Sequence, residues 1–353
     1  MTIPTGQAHE AAVVAVRNLS KTFVTGFLPY RRIASVLSRF LPSSPLFKRV
    51  EAVRGIDLTV APSEVFGLLG PNGAGKTTTI KMMMGLLFPD EGSISLFGGS
   101  VTDPKVMARV GFLPENPSFY DYLTAPEFLD LTARLLGIPR NKRAERIADM
   151  LELVKLTHAT DRPLRKFSKG MLQRAGLAQA LIGDPDLVVL DEPLSGLDPI
   201  GRKEVRDIVA DLAKQGKTVL FSSHILSDVE LLCTRVAIVV NGRIQKIGSL
   251  DDLLGQDVEA IEVILDQVPP ELETALAQRG DARKQGAKWI VQLPGDDDPA
   301  AVLQAAIDVH ARILSVQPRR KSLEELFMSQ TANGSSAGGP ASEDTGASMD
   351  HQS

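Results

Sequence analysis

A chain of 353 residues, 43% hydrophobic and 23% charged, is long for one domain, short for three, and able to bury a sizeable core. Its formal net charge of −4 gives no global basic field of the kind that gathers nucleic acid, so no nucleic-acid partner is expected. Its single cysteine, Cys233, excludes an internal disulfide, which fits a reducing compartment.

Residues 1–10 read as a flexible leader, with no basic region followed by an apolar core and so no secretory signal. No apolar run approaches the roughly 18 residues that span a bilayer, so a transport path would belong to another polypeptide. From 11 to 250, short apolar β-branched runs alternate with helical patterns, the signature of a parallel α/β sheet. Within it, residues 24–50 form a basic insertion holding Arg31, Arg32, Arg39, Lys48 and Arg49 and no acid. Ile33, Val36, Leu37 and Phe40 fall on one helical face of it, between Pro29 and Pro42. Such a segment either packs on its own domain or meets a membrane surface or membrane partner. Deleting 26–48 and measuring ATP turnover and transport separates the two readings.

Strand patterns cover Val65–Leu69, Leu187–Leu190, Thr218–Phe221 and Arg235–Val240, and Asn241-Gly242 marks a hairpin. Residues 113–180 are rich in helical spacing and poor in strands, and read as a helical subdomain. The pattern restarts at 256. Val258–Leu265, Trp289–Leu293 and Ile313–Val316 are strand-like, while Pro270–Arg279, Pro299–His310 and Ser322–Gln330 are helix-like, enough for a small α+β domain over 256–330. Residues 331–353 are Gly-, Ser- and Ala-rich without Lys or Arg, a composition that favours disorder.

Two motifs carry chemistry. Gly70, Pro71, Asn72, Gly73, Ala74, Gly75, Lys76 and Thr77 match the phosphate-loop pattern at every defined position. The strand run Val65–Leu69 precedes them and the helix-compatible run Thr78–Leu87 follows, with Thr78 joining the candidate nucleotide contacts. Glycines let successive N–H groups converge on phosphate oxygens, and the helix N-terminus adds its partial positive charge. Lys76 is expected at the β- and γ-phosphates of ATP and Thr77 on Mg²⁺. The second motif is the apolar run ending in Asp191 and Glu192. A buried carboxylate at a strand end needs a partner, and Mg²⁺ held through Asp191 supplies one. Glu192 is placed to polarise a water aimed at the γ-phosphate.

At this point the chain resembles the nucleotide-binding subunits of ATP-binding-cassette proteins, over about 13–250. Phe167-Ser168-Lys169-Gly170-Met171, set before a helical run at Leu172–Ile182, looks like the family signature, Ser195-Gly196-Leu197-Asp198 like its D-loop, His224 like its switch histidine and Gly111–Asn116 like its Q-loop region. The resemblance implies a P-loop NTPase cassette, a RecA-like sheet core with a helical subdomain, followed by the small α+β domain. It implies a head-to-tail pair of cassettes with ATP between one phosphate loop and the other's signature. Ser168, Gly170 and Asp198 then act across the interface, Glu192 as general base or water-orienting group and His224 on the γ-phosphate. Phe23 stands where the family stacks an aromatic on adenine, an ordinary core position being the other reading. Glu115 replaces the usual glutamine and still offers an oxygen to Mg²⁺ or water. Lys169 and Met171 depart from the usual signature, in a form similar to drug-, ion- and lipid-exporter cassettes.

The function so implied is an ATPase at the cytoplasmic face of the membrane that powers a separately encoded permease, export being favoured over import. The rivals are a translation- or DNA-associated cassette and a regulatory half that only binds ATP. One phosphate loop and no sustained heptads argue against the first. Lys76, Glu192 and His224 together argue against the second.

Overall fold

The computed structural model describes residues 12–26, 47–254, 258–277, 281–295, 298–320, 324, 327 and 328. The leader, the central part of the basic insertion, most of the closing helical pattern and the tail lie outside them.

In chain order, the first part runs β1 (Val14–Gly26), β2 (Phe47–Val60), β3 (Val65–Leu69), α1 (Lys76–Met83), β4 (Glu91–Leu96), β5 (Gly99–Ser100), α2 (Pro104–Met107) and β6 (Val110–Leu113). Helices α3 (Ala125–Leu135), α4 (Arg140–Leu153) and α5 (Lys169–Leu181) follow, then β7 (Leu187–Leu190), α6 (Pro199–Lys214), β8 (Thr218–Ser223), α7 (Leu226–Leu232), β9 (Arg235–Val240), β10 (Arg243–Ser249) and α8 (Leu250–Leu254).

A six-stranded sheet, in the order β10-β9-β3-β8-β7-β6, is the centre of the molecule. All its neighbours are parallel except the β9-β10 hairpin. Its inner strands β3 and β7 are apolar and buried on both faces and β9 nearly so, as a parallel sheet covered twice requires. Alternation sorts the two faces. Val188 and Leu190 join the core beneath α3–α6, while Leu187 and Val189 join the core beneath α1 and the N-terminal strands. Burying each such side chain stabilises the fold by about 1.5–3 kcal/mol.

The N-terminal strands correct the expectation of one parallel sheet over 11–250. They form a second, antiparallel sheet in the order β2-β1-β4-β5. Its pairing slips between Val16 and Leu19 and again near Lys21, so bulges break the two-residue alternation that a strand pattern needs. Two helix starts also differ from expectation. The helix after the phosphate loop begins at Lys76 and stops at Met83, with Gly85 left-handed at φ +66° beyond it. The helix expected from Leu172 begins at Lys169, because Ser168 caps it.

The third sheet, β12 (Ala282–Gln285), β13 (Lys288–Pro294), β11 (Val258–Asp266) and β14 (Arg312–Arg320), is antiparallel in that order. Helices α9 (Pro270–Ala277) and α10 (Ala300–Asp308) complete this unit, whose own core includes Val263, Leu265, Leu276, Trp289, Val291 and Val302. Phe327 then packs against the core of the first part. Among the described residues no helix is long and apolar enough to cross a membrane.

Candidate nucleotide site

Strand β3 brings five buried residues to the carboxyl edge of the central sheet, and the chain there turns directly into α1. Glycine makes the turn. Gly73 sits at φ +80° and Gly75 at φ +105°, and a Cβ on Gly75 would collide with the carbonyl oxygen of Ala52. The β9-β10 turn braces the loop, with Gly242 N–H donating to the Ala74 carbonyl at 2.9 Å. Gly70 N–H donates to the Ser223 carbonyl at 3.2 Å, tying the loop to β8. Lys76 folds back beneath the loop, its Nζ donating to the carbonyls of Gly70 at 2.7 Å and Pro71 at 3.2 Å.

Parallel pairing of β7 and β8 sets Leu190 opposite Phe221, so the residues beyond them meet. Ser222 Oγ donates to Asp191 Oδ1 at 2.7 Å and accepts from the Glu192 N–H at 2.9 Å. Thr77 Oγ1 reaches the same Asp191 oxygen at 3.1 Å. Asp191 is 1% exposed, and burial pushes its carboxyl above the ordinary range; the charges of Glu115 and Glu192 add to this, and the two hydroxyls oppose it. Glu192 takes the left-handed region at φ +49°, uncommon for a residue with a Cβ, the kind of strain that gathers at functional sites. Its carboxylate, 7% exposed, lies between two cations or potential cations. Oε1 is 3.1 Å from Lys76 Nζ and Oε2 is 2.8 Å from His224 Nδ1.

These groups open on a cavity of about 430 Å³. Phe23, Asn72, Gly73, Ala74, Gly75, Lys76, Thr77, Thr78, Glu115 and Glu192 all line it, with Ala52 beside them. Gly70 and Pro71 enter through their carbonyls, Asp191 through Thr77 and His224 through Glu192. Ser222 is missing from the sequence-based set. The signal for it is the pair of hydroxyl residues, Ser222-Ser223, at the carboxyl end of β8 directly before His224.

Ser168, Gly170 and Asp198 stand elsewhere, on a separate cavity of about 420 Å³ shared with Gly196 and Leu197. Ser168 caps α5, accepting from the Met171 N–H at 3.2 Å, and Asp198 caps α6, accepting from the Gly201 N–H at 2.7 Å. Arg174, also beyond the sequence-based set, braces them from below. Its Nη1 donates to the Val154 carbonyl at 3.1 Å and pairs with Glu204 at 3.3 Å.

Known proteins resemble this chain in sequence and fold. The family model described as ABC transporter matches residues 53–195. An ABC transporter ATP-binding protein of Synechocystis, itself uncharacterised, is 41% identical over 91% of this chain and 85% of its own length. The chain belongs to the ABC transporter family. A further relative, the bacitracin transport ATP-binding protein BcrA of Bacillus licheniformis, is 41% identical over 59% of this chain and 69% of its own. Among solved structures, an ATP-binding subunit of an ABC transporter superposes with a TM-score of 0.56 at 29% identity, covering 68% of this chain and 91% of that one. The dimeric MJ0796 cassette, bound to ADP and Pi after hydrolysis, shares the fold with a TM-score of 0.57 at 20% identity over 67% of this chain and 98% of that one. As a member of that family the chain is an ABC transporter ATP-binding subunit.

Proposed function

We propose that this cassette hydrolyses Mg-ATP in a head-to-tail pair, two copies of this chain together, and that the pair drives an exporter from the cytoplasmic face of the membrane. The observation that carries the reading is Glu192, held in a left-handed conformation between Lys76 and His224 at the mouth of the phosphate loop. Lys76 is the cation nearest the phosphates' place, and ATP would draw it from Glu192 Oε1. The freed carboxylate then orients water and accepts its proton, with His224 holding Oε2. Phe23 stacks the adenine.

Mg²⁺ fits the residues present. A nearly buried carboxylate, Asp191, has among the described residues only the hydroxyls of Ser222 and Thr77 for side-chain partners, and a hard cation prefers such oxygens together with phosphates. Thr77 and Asp191 would hold the ion and Glu115 would reach it through its carboxylate or a water. The ion would neutralise phosphate charge.

Ser168 and Gly170 would meet the γ-phosphate of the partner's ATP, and Asp198 the partner's phosphate loop. The division of labour follows: 11–250 for ATP and 256–330 as an accessory unit. Export is supported by kinship. The Nod factor export ATP-binding protein I of Ralstonia nicotianae is 33% identical over 79% of this chain and 88% of its own length.

Glu192→Gln tests the reading. Turnover should fall by about a thousandfold, while ATP-bound dimers accumulate on size-exclusion chromatography. Turnover near that of the unaltered chain would remove Glu192 from its role.

A further inference from the structure

The switch histidine and the D-loop stand on different elements, and one buried ion cluster joins them. Helix α6 opens with Asp198 as its cap, and the Arg202 N–H donates to the Asp198 carbonyl at 2.9 Å, so Arg202 moves with the D-loop. Helix α7 begins two residues after His224 and packs on α6. Asp228, in the first turn of α7, is 0% exposed. Its Oδ1 accepts from Arg206 Nη1 of α6 at 3.3 Å.

The cluster is one bond short. Among the described residues, Asp228 Oδ2 is buried and accepts nothing, and Arg202 Nε is buried and donates to nothing. Burial disfavours the Asp228 charge, and Arg202, Arg206 and His224 are the groups whose charges offset that. A buried acceptor and a buried donor of opposite charge therefore stand within electrostatic reach of each other, unjoined, in the α6-α7 interface. Native interiors rarely leave such atoms unpaired. A bond serving stability alone would be made in this state. One left open belongs to a second arrangement of the same two helices.

We propose that Arg202 and Asp228 are positioning residues: when a second cassette presses on the D-loop, Arg202 Nε closes on Asp228 Oδ2, and α7 sets His224 in its working place. The latch reports occupancy of one site, through the partner, to the switch of the other half. It rests on the reading of His224 as a γ-phosphate contact and of Asp198 as partner-facing.

The test is a double-mutant cycle in the full-length chain, with Arg202→Gln, Asp228→Asn and both together. Each single variant should lower kcat about tenfold, with KM for ATP and the thermal midpoint held. The double variant should be no slower than the slower single, because one bond is lost only once. Unchanged kcat overturns the proposal. So does an additive, roughly hundredfold, loss in the double variant, and so does a kcat loss that tracks a fall in thermal midpoint. If Asp228→Asn does not fold, Arg202→Gln decides, with Arg202→Lys expected to recover at least about half of the turnover; full turnover in Arg202→Gln, or no recovery in Arg202→Lys, sinks the latch. His224→Ala separates the two layers. Full turnover there removes the reading of the histidine and the latch with it, whereas low turnover there beside full turnover in Arg202→Gln removes the latch alone.

Discussion

The phosphate-loop cavity and the signature cavity are of nearly equal volume, about 430 and 420 Å³, yet they handle charge in opposite ways. At the first, Lys76 is already engaged, with two loop carbonyls and Glu192 around its ammonium, and Glu192 holds His224 as well. Asp191 has both neighbouring hydroxyls. A ligand entering there must take bonds that the chain now makes to itself. At the second cavity the side chains of Ser168 and Asp198 cap their own helices, and Glu204 is matched by Arg174. Lys169, in the first turn of α5, lies over the backbone of Gly196 and has no carboxylate within ion-pair distance among the described residues. The α5 N-terminus, capped only by a neutral hydroxyl, and the Lys169 ammonium thus leave positive charge here, whereas the Asp198 carboxylate offsets the α6 terminus. On the proposed reading, the first cavity is a resting switch that its own substrate rearranges, and the second is a surface finished for an anion that another molecule brings.

If that division holds, damage to the two sides separates in kinetics. After Glu192→Gln, the largest effect is expected from Gly75→Ala. The position needs φ +105°, and the new methyl would collide with the Ala52 carbonyl, so the loop must deform. Single-site ATP affinity and kcat/KM should both fall by about a hundredfold or more, measured by nucleotide titration of the isolated chain and by phosphate release. Ser168→Ala comes next. It should lower kcat about tenfold while leaving ATP affinity of the single chain within about twofold. The lost cap also costs about 1 kcal/mol, so Ser168→Asp is the sharper variant, because it keeps the cap and adds a negative charge where the partner's phosphate would lie. It should melt near the unaltered chain and turn over still more slowly. Equal losses of single-chain ATP affinity in the Gly75 and Ser168 variants would erase the distinction between the two cavities.

What could be read from the amino-acid order follows the same line. The phosphate loop, the strand into Asp191 and the hairpin at Asn241-Gly242 are contiguous features whose geometry is fixed locally by glycine and by apolar runs. The structure gathers the loop, Phe23, Glu115 and Glu192 around one cavity. Ser222 was not legible, because its place beside Asp191 depends on the register of β7 against β8, a pairing between residues 31 apart. Arg174 and Arg202 escaped notice for a similar reason: each acts across a helix interface. The antiparallel N-terminal sheet was hidden by its bulges, which spoil the periodicity on which strand reading rests. The parallel central sheet is as expected from the alternation of apolar runs and helical patterns, whereas the antiparallel sheet and the partners of single polar side chains depend on registers that local pattern does not encode.

The smallest predicted effect bears on why the phosphate-loop side must be resting rather than finished. Asp191 is buried with hydroxyls alone, and its carboxyl is displaced upward, first by burial and then by the nearby acids. A carboxyl with a folded-state value above its unfolded one binds its proton more tightly in the folded chain. Its contribution to stability is complete below the unfolded value, near 4, and is lost as pH rises through the folded value. Near pH 7, well above the unfolded value, the ligand-free chain therefore carries Asp191 at a cost. Asp191→Asn removes that cost and should raise the thermal midpoint of the ligand-free chain at pH 7, with the gain shrinking toward zero below about pH 4. Asp228 is displaced in the same direction but is common to both chains and cancels in the difference. Adding Mg-ATP should reverse the order, stabilising the unaltered chain and leaving the variant nearly unmoved. A variant that melts no higher than the unaltered chain at pH 7 would mean that Ser222 and Thr77 already satisfy Asp191. The site would then be finished without a cation, and the contrast between the two cavities would lose its physical basis.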